Sequence, residues 1–319
     1  MTEKNRVIKI YCDNADKTVS DGYICDAAGI TPKRLAEIVE TLSRDGLKIE
    51  KTAGGSRMTS DEIAKIGPEI CRETVGRTVM FDETDSTNLR AKKLFADGVC
   101  GHGSLIAARS QTSGRGRLGR SFYSPSDSGI YMSVILCKSE LGSPITEITS
   151  KAAVAVCRAI EELFPSISPQ IKWVNDIYVG GKKVCGILAE AVNDAESGKI
   201  AAVIVGIGVN MSTEIFPDGI VETAGSLGVG SRYNGLFAAM ICDNLINITS
   251  SADSRGVMDE YRAHSLVIGK KICYFGADGV KNYGVAVGID DGGGLIVDDD
   301  RLGRVILSTG EISLRLADR

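Results

Sequence analysis

Residues 111–120 read Gln111-Thr112-Ser113-Gly114-Arg115-Gly116-Arg117-Leu118-Gly119-Arg120, and residues 172–176 read Lys172-Trp173-Val174-Asn175-Asp176. The first stretch lies within a window, Gly98 to Ser126, that holds no acidic residue but includes Arg109, Arg115, Arg117 and Arg120. Glycine alternating with arginine offers free backbone N–H groups and a forked cationic donor at every second position, which suits closure over an anion. The same pattern suits a solvated basic loop or an RNA-binding segment. It is not a Walker loop, since no GxxxxGK[ST] occurs. The second stretch runs on through Gly180-Gly181-Lys182-Lys183 to Val184-Cys185-Gly186-Ile187-Leu188-Ala189-Glu190. It reads as two strands joined by a glycine turn, with lysines on both sides and the chain's single Trp among them. A lysine entering an apolar strand is costly unless it meets an anion; an edge hairpin with snorkelling lysines is the plainer alternative.

Around these stretches the pattern is α/β. Strand-like runs fall at 104–108, 130–137, 171–179, 184–191 and 200–209. A helix with Ala152, Ala153, Val156, Ile160, Leu163 and Phe164 on one face stops at Pro165. Further helices are expected near 235–248 and 253–264, giving one sheet with helices packed on it. Two shorter motifs add to the site. Gly206-Ile207-Gly208-Val209-Asn210 ends an apolar strand with two glycines that admit a close approach. Asp85-Ser86-Thr87-Asn88 places hydroxyls and an amide before a helix, where an ordinary N-cap would also explain them.

Residues 1–66 read as a small helical unit. A segment near 19–28 ends at Gly29. Thr31-Pro32 then starts a second helix carrying Leu35, Ile38, Val39 and Leu42, and Ala53-Gly54-Gly55-Ser56 turns a wing. This is the order of a winged helix-turn-helix. Lys33 and Arg34 at the helix start and Arg57 on the wing are its DNA-facing candidates, yet the unit balances 11 Lys and Arg against 11 Asp and Glu. The last fifty residues alternate short strands with Gly/Asp turns such as Asp290-Asp291-Gly292-Gly293-Gly294, as in a small barrel.

Composition bounds the chemistry. The 319 residues carry a net charge of −4, which excludes a protein that coats polyanions generally. Two histidines, His102 and His264, without ligand-spaced partners, argue against a His-based metal site or imidazole-centred catalysis. Nine cysteines without a CxxC, and no signal peptide, point to reduced thiols in the cytoplasm. No apolar run approaches the ~18 residues a membrane span needs.

In this order, the Asp85-Ser86-Thr87-Asn88 segment, the arginine–glycine loop, Lys172-Trp173-Val174-Asn175-Asp176, Lys183 with Gly186-Ile187-Leu188, Gly206-Ile207-Gly208-Val209-Asn210-Met211 and Gly310-Glu311-Ile312-Ser313-Leu314-Arg315 resemble the biotin protein ligases, over about residues 80–319. With the N-terminal unit in front, the chain is similar to the bifunctional ligases that also repress biotin genes. The resemblance implies an α+β fold in three parts: a winged helix-turn-helix (1–66), a catalytic domain with a central mixed sheet (67–266) and an SH3-like barrel (267–319). It implies biotin, ATP and Mg²⁺, a biotinyl-5′-adenylate intermediate, and transfer of biotin to one lysine of a carboxylase carrier domain. Operator DNA and a ligand-bound homodimer are implied partners; no protein-held metal is expected.

By the same resemblance, Ser86, Thr87, Asn88, Gln111, Arg115, Gly116, Arg117, Lys183, Gly206 and Gly208 meet biotin. Arg115, Phe122, Asn175, Asn210 and Arg315 meet the nucleotide. Lys183, Lys172, Arg117 and Asp176 act in catalysis, Asp176 by orienting the acceptor lysine. Two departures stand out: Val174 where the family commonly has proline, and Phe122 where some relatives stack a Trp. A lipoate ligase and a biotin sensor without catalysis are the competing readings; the Arg/Gly loop speaks against the first, and the intact lysine pair together with that loop against the second.

Overall fold

The N-terminal helices follow from their caps. Thr2, Ser20 and Thr31 each accept a hydrogen bond from a backbone N–H of the first turn of α1 (Glu3–Asp13), α2 (Asp21–Ala28) and α3 (Pro32–Arg44). Gly29, at φ 64°, ends α2 in the left-handed conformation that only glycine adopts without cost. A hairpin of β1 (Glu50–Thr52) and β2 (Gly55–Arg57) follows, then the short helices α4 (Ser60–Ile63) and α5 (Pro68–Cys71). The helix α1 has no counterpart in the sequence reading, whose two expected helices are α2 and α3.

This is a computed structural model, and it describes residues 1–253, 255–275 and 280–308 together with the backbone of 315–316. The body is a seven-stranded sheet built from β3 (Thr78–Thr84), β4 (Leu105–Gln111), β5 (Gly129–Cys137), β6 (Gln170–Lys172), β7 (Asp176–Val179), β8 (Lys182–Asn193) and β9 (Ile200–Asn210). The order is β3-β4-β5-β9-β8-β7-β6, with β3 and β4 parallel and the other pairs antiparallel. Alternation decides which helix covers which face. Leu105, Ala107, Met132, Val134, Val205 and Ile207 share a core with α7 (Ile148–Leu163) and α8 (Asn234–Ser250). Ile106, Ile135, Ala202 and Ile204 point the other way, to Ala91, Leu94 and Phe95 of α6 (Thr87–Ala96). The near-continuous apolar runs of β5 and β9 are those of strands covered on both faces.

The sequence reading makes 171–179 a single strand. Instead the chain turns at Trp173–Asn175, so Lys172 on β6 lies opposite Asp176 on β7. Trp173 drives the turn: 6% exposed, it leaves the sheet and donates from Nε1 to the Gly293 carbonyl at 2.8 Å. The strand β3 was not legible either; its Thr78-Val79-Met80-Phe81-Asp82-Glu83-Thr84 run is too polar at one end to announce itself.

Gly293 lies in the turn between β11 and β12 of the C-terminal sheet, β10 (Lys271–Phe275), β11 (Lys281–Ile289), β12 (Leu295–Asp299), β13 (Gly303–Leu307) and β14 (Arg315–Leu316), in the antiparallel order β13-β12-β11-β10-β14. Besides Trp173, Arg262 of α9 (Arg255–Ala263) holds this sheet to the body by donating to the Ile289 carbonyl at 2.7 Å. At the other end, the N-terminal helices are fastened to the body by Tyr233 Oη donating to Asp13 at 2.8 Å and Asn5 Nδ2 to the Cys71 carbonyl at 3.0 Å. Among the described residues no helix is long and apolar enough to cross a membrane.

Candidate active site

One cavity of about 590 Å³ opens between the sheet and the loops around it, a size suited to a small ligand. Its inner wall is the start of α6. The Asp85 carboxylate accepts from the Ser86 N–H at 2.7 Å, which turns the chain from β3 into the helix, and Ser86, Thr87 and Asn88 are all buried against the cavity. Gln111, at the end of β4, accepts from the Thr87 N–H at 2.9 Å and from its hydroxyl at 3.2 Å, and donates to Ser124 Oγ at 2.9 Å. Uncharged donors and acceptors thus cluster at this end.

The arginine–glycine segment forms a closed hairpin over the cavity. Phe122 N–H donates to the Gly114 carbonyl at 2.9 Å and Gly116 N–H to the Arg120 carbonyl at 2.7 Å. The tip passes through Leu118 at φ 56° and Gly119 at φ 73°. Leu118 is 66% exposed in a conformation that costs a side-chain-bearing residue about 1–2 kcal/mol, strain of the kind found where a loop must hold a functional shape. Half-buried Arg117 reaches inward and donates from Nη1 to the Asn175 amide oxygen at 3.3 Å. Burial pulls its guanidinium below the ordinary value and the Asp176 carboxylate opposes this, leaving it cationic.

The opposite wall is the β6–β8 meander. Asn175 Nδ2 donates to the Ile187 carbonyl at 2.9 Å, and Lys183 Nζ pairs with Asp176 at 2.7 Å. Lys172 Nζ lies 5.4 Å from the centre of the Tyr178 ring. Among the described residues, Arg115, Arg117, Arg120, Lys172 and Lys183 line the cavity against a single carboxylate, Asp176. Such an excess of cations in a recess concentrates polyanions.

The glycines on β9 act differently from expectation. A Cβ on Gly206 would lie 2.3 Å from Asn88 Oδ1, and one on Gly208 would lie 2.5 Å from the Phe122 ring. Each therefore makes room first for a protein side chain, through which it shapes the ligand space. Asn210, 5% exposed, donates to the Gly225 carbonyl at 2.8 Å while its Oδ1 is buried without a partner, an acceptor still open to a ligand donor.

A lining segment escaped the sequence reading: Phe216, Gly219, Ile220, Thr223 and Ala224 close the far side. It is strapped to the catalytic hairpin by Lys183 N–H to the Thr223 carbonyl, Gly225 N–H to the Lys183 carbonyl, both 2.8 Å, and Lys182 Nζ to the carbonyls of Val221 and Glu222. Its one sequence signal is the Pro217-Asp218-Gly219 turn just after the Gly206–Asn210 strand end. Of the other expected residues, the Arg315 side chain lies outside the described residues, as do Gly310 to Leu314. Lys33, Arg34 and Arg57 lie in the N-terminal unit, away from the cavity. Arg34 there pairs with Glu3 at 2.6 Å and Glu37 at 3.1 Å, and Arg57 with Glu50 at 2.6 Å.

A neutral recess rich in hydroxyls and amides thus adjoins a cationic one under the arginine–glycine loop. Residues 80–210 match the model of the Biotin/lipoate A/B protein ligase family. The Bifunctional ligase/repressor BirA of Bacillus subtilis is 30% identical over 71% of this chain and 71% of its own. The chain belongs to the biotin protein ligase family. The ligase/repressor of the same name from Bacillus spizizenii is 28% identical and matches 93% of this chain and 94% of its own, the N-terminal unit included. The biotin protein ligase of Aquifex aeolicus, solved with biotin and ATP, superposes with a TM-score of 0.63 at 28% identity, over 76% of this chain and 99% of that one. In this ligase family member every expected site residue with a described side chain, the DNA candidates apart, lines the same cavity.

Proposed function

We propose that the chain is an ATP-dependent biotin–[acetyl-CoA-carboxylase] ligase. The observation that carries this reading is the convergence of five cations and the uncharged Ser86–Asn88 and Gln111 cluster on one cavity. The biotin ureido edge sits among Ser86, Thr87 and Gln111, and Arg115, Gly116 and Arg117 close over it. Its carboxylate attacks the α-phosphorus of ATP, forming the mixed anhydride and expelling pyrophosphate. Lys183 and Lys172 stabilise charge growing on the phosphoryl oxygens, and Arg117 adds a third fixed cation in a space closed to water. Phe122, beside Asn175 and Asn210, stacks the nucleobase, and the open Asn210 Oδ1 accepts from an exocyclic amine. Arg315 is proposed to approach from the C-terminal sheet.

In the second step a carrier lysine amine attacks the acyl carbon, AMP leaves, and the amine gives up a proton. Asp176 orients that amine; for this it must exchange Lys183 for the incoming nitrogen, a switch the 2.7 Å pair makes short. Mg²⁺ bound to the triphosphate supplies charge neutralisation. One lining carboxylate, and no group of three His, Cys, Asp or Glu able to hold a metal among the described residues, fit an ion that arrives with the nucleotide.

Biotin transfer to a carrier domain in the presence of ATP and Mg²⁺ tests the reading; a carrier left unlabelled where a control ligase works would sink it, and competition by lipoate decides between the two acids. A repressor role is the second element. The helices and hairpin of residues 1–66 are read as a winged helix-turn-helix, the body as spanning 67–266 and the C-terminal sheet as an SH3-like barrel over 267–319. What supports repression is the near full-length match to a ligase/repressor. Operator binding as a biotin-dependent homodimer is tested by anisotropy with biotin-gene upstream DNA at stated salt.

A further inference from the structure

The turn between β6 and β7 is held from behind by a residue that does not line the cavity. Lys172 and Asp176 face each other across the hairpin, and Trp173, Val174 and Asn175 make the turn between them. Lys172, Asn175 and Asp176 present polar groups to the cavity, whereas Val174 is buried in the core. A buried carbonyl needs a donor. That of Val174 accepts from the Tyr261 hydroxyl of α9 at 3.0 Å, and Tyr261 has no exposed surface at all.

The helix α9 is a fixed support. Arg158 of α7 grips Glu260 through two hydrogen bonds, at 2.7 and 2.5 Å, and Arg262 donates to the Ile289 carbonyl at 2.7 Å. Just past the helix, the His264 carbonyl accepts from the Ile171 N–H at 2.7 Å, and Leu266 N–H donates to the Ile171 carbonyl at 2.8 Å, which pairs the outer edge of β6. Ile171, Trp173 and Val174, which alternate with or precede the polar groups, are thus each tied to α9, to the chain after it or to the turn at Gly293.

The consequence falls on Asn175. Its backbone carbonyl accepts from the Ile187 N–H at 3.0 Å and its Nδ2 donates to the Ile187 carbonyl at 2.9 Å, so β8 fixes it on one side. On the other side it is joined to Val174 by the peptide whose oxygen Tyr261 holds. Without that hydroxyl the carbonyl is buried and unpaired, and rotation of the Val174–Asn175 peptide is the movement that relieves it. The hydrogen bond from Arg117 to Asn175 Oδ1, at 3.3 Å, is already long, so a small displacement of Asn175 breaks it.

We propose that Tyr261 is a positioning residue: from outside the cavity, its hydroxyl holds the Val174–Asn175 peptide, keeps Asn175 within reach of Arg117 and so keeps the arginine–glycine loop closed over the adenylate. This rests on the ligase reading and goes beyond it, bringing α9 into the working parts of the site. Tyr261→Phe removes one oxygen and leaves the ring to fill its space.

The full chain is incubated with biotin, ATP, Mg²⁺, a carrier domain and a bystander protein, and labelling of both proteins is followed by mass spectrometry. In Tyr261→Phe, bystander labelling relative to carrier labelling is expected to rise about 3- to 10-fold, the worth of one hydrogen bond, while the KM for biotin stays within about twofold because Ser86, Thr87 and Gln111 stand on the other wall. Asn175→Ala is expected to leak too, and adding Tyr261→Phe to it raises the leak no further, since both changes cut the same tether. Val257→Ala loosens the buried face of α9 without touching the hydroxyl and is expected to leak no more than wild type. Leaks that multiply in the double variant, an equal leak in Val257→Ala, or a Tyr261→Phe chain that is as retentive as wild type or does not fold, each overturn the proposal. A wild-type chain that labels no carrier would instead overturn the ligase reading.

Discussion

Arg117 donates to the Asn175 amide oxygen at 3.3 Å, so a single hydrogen bond ties the arginine–glycine loop to the turn between β6 and β7. The two residues come from segments 58 positions apart and meet only across the cavity. On the proposed ligase reading, closing the loop and placing a cation at the reacting phosphate are therefore one event. Arg117→Ala is expected to slow adenylate formation by about 10- to 100-fold, the worth of a charge-assisted hydrogen bond. It should also let the adenylate escape, so that unrelated proteins become labelled. Asn175→Ala removes the tether but leaves the cation, and is expected to show leakage with a smaller loss of rate. Mass spectrometry of a bystander protein alongside pyrophosphate release measures both; a tightly retained adenylate in Arg117→Ala would contradict the role of the loop.

The two glycines of β9 separate the two halves of the cavity. In Gly206→Ala the new methyl collides with the Asn88 amide at 2.3 Å, whereas in Gly208→Ala it collides with the Phe122 ring at 2.5 Å. The first is expected to raise the KM for biotin tenfold or more, and the second mainly that for ATP. Asn88 is fixed by hydrogen bonds to Ser133 at 2.6 Å and Glu190 at 2.8 Å and cannot yield cheaply; the ring can swing, so Gly208→Ala is the milder change. Steady-state kinetics with each substrate varied in turn decides this, and equal effects on both KM values would show that the division is wrong.

Motifs that act through short sequence distances were legible before the fold was known. Gly114–Arg120 declares a loop, Gly206–Asn210 a strand end, and Thr31-Pro32 a helix start, because each depends on local backbone preference. What was not legible depends on tertiary partners. Trp173 bends the expected 171–179 strand because its indole finds the Gly293 carbonyl 120 residues later. Ser133 gave no signal inside an apolar strand, and its hydrogen bonds form only beside Asn88 and Thr87. Likewise Phe216 to Ala224 gain their place from backbone hydrogen bonds to Lys183, which no side-chain pattern encodes.

Asp299 staples the C-terminal sheet. Its Oδ2 accepts from Tyr274 at 2.6 Å and its Oδ1 from the N–H groups of Arg301 and Leu302, each at 2.8 Å. The Tyr274 hydrogen bond, against the cost of burial and with help from the two backbone N–H groups, holds its carboxyl below the ordinary value. The folded value is the lower one, so its stabilisation is complete above the unfolded value near 3.9 and is lost as pH falls through the folded one. Asp299→Asn is expected to cost about 1–3 kcal/mol near pH 7 and to flatten the acid limb. The fluorescence of Trp173, docked on the same sheet, reports the loss in urea titrations at pH 3 and pH 7. An unchanged midpoint at pH 7 would remove Asp299 from the account.

The N-terminal unit presents its arginines already engaged. Arg34 is held by Glu3 and Glu37, and Arg57 by Glu50, all near or above one-third exposed. Exposed pairs of this kind are worth only about 0–1 kcal/mol, so phosphate can displace the carboxylates, but each displaced carboxylate stays close and repels it. Lys33 is exposed at the first turn of α3, where the helix N-terminus also favours phosphate. Lys33→Ala is therefore expected to weaken DNA binding more than Arg34→Ala does. Glu37→Gln and Glu50→Gln are each expected to strengthen it severalfold and to steepen its salt dependence, since an unopposed arginine releases counterions more fully. Fluorescence anisotropy with a biotin-gene upstream duplex at two salt concentrations gives affinity and slope together. Weaker binding on removing either carboxylate would mean that Glu37 and Glu50 position the arginines for DNA instead of screening them.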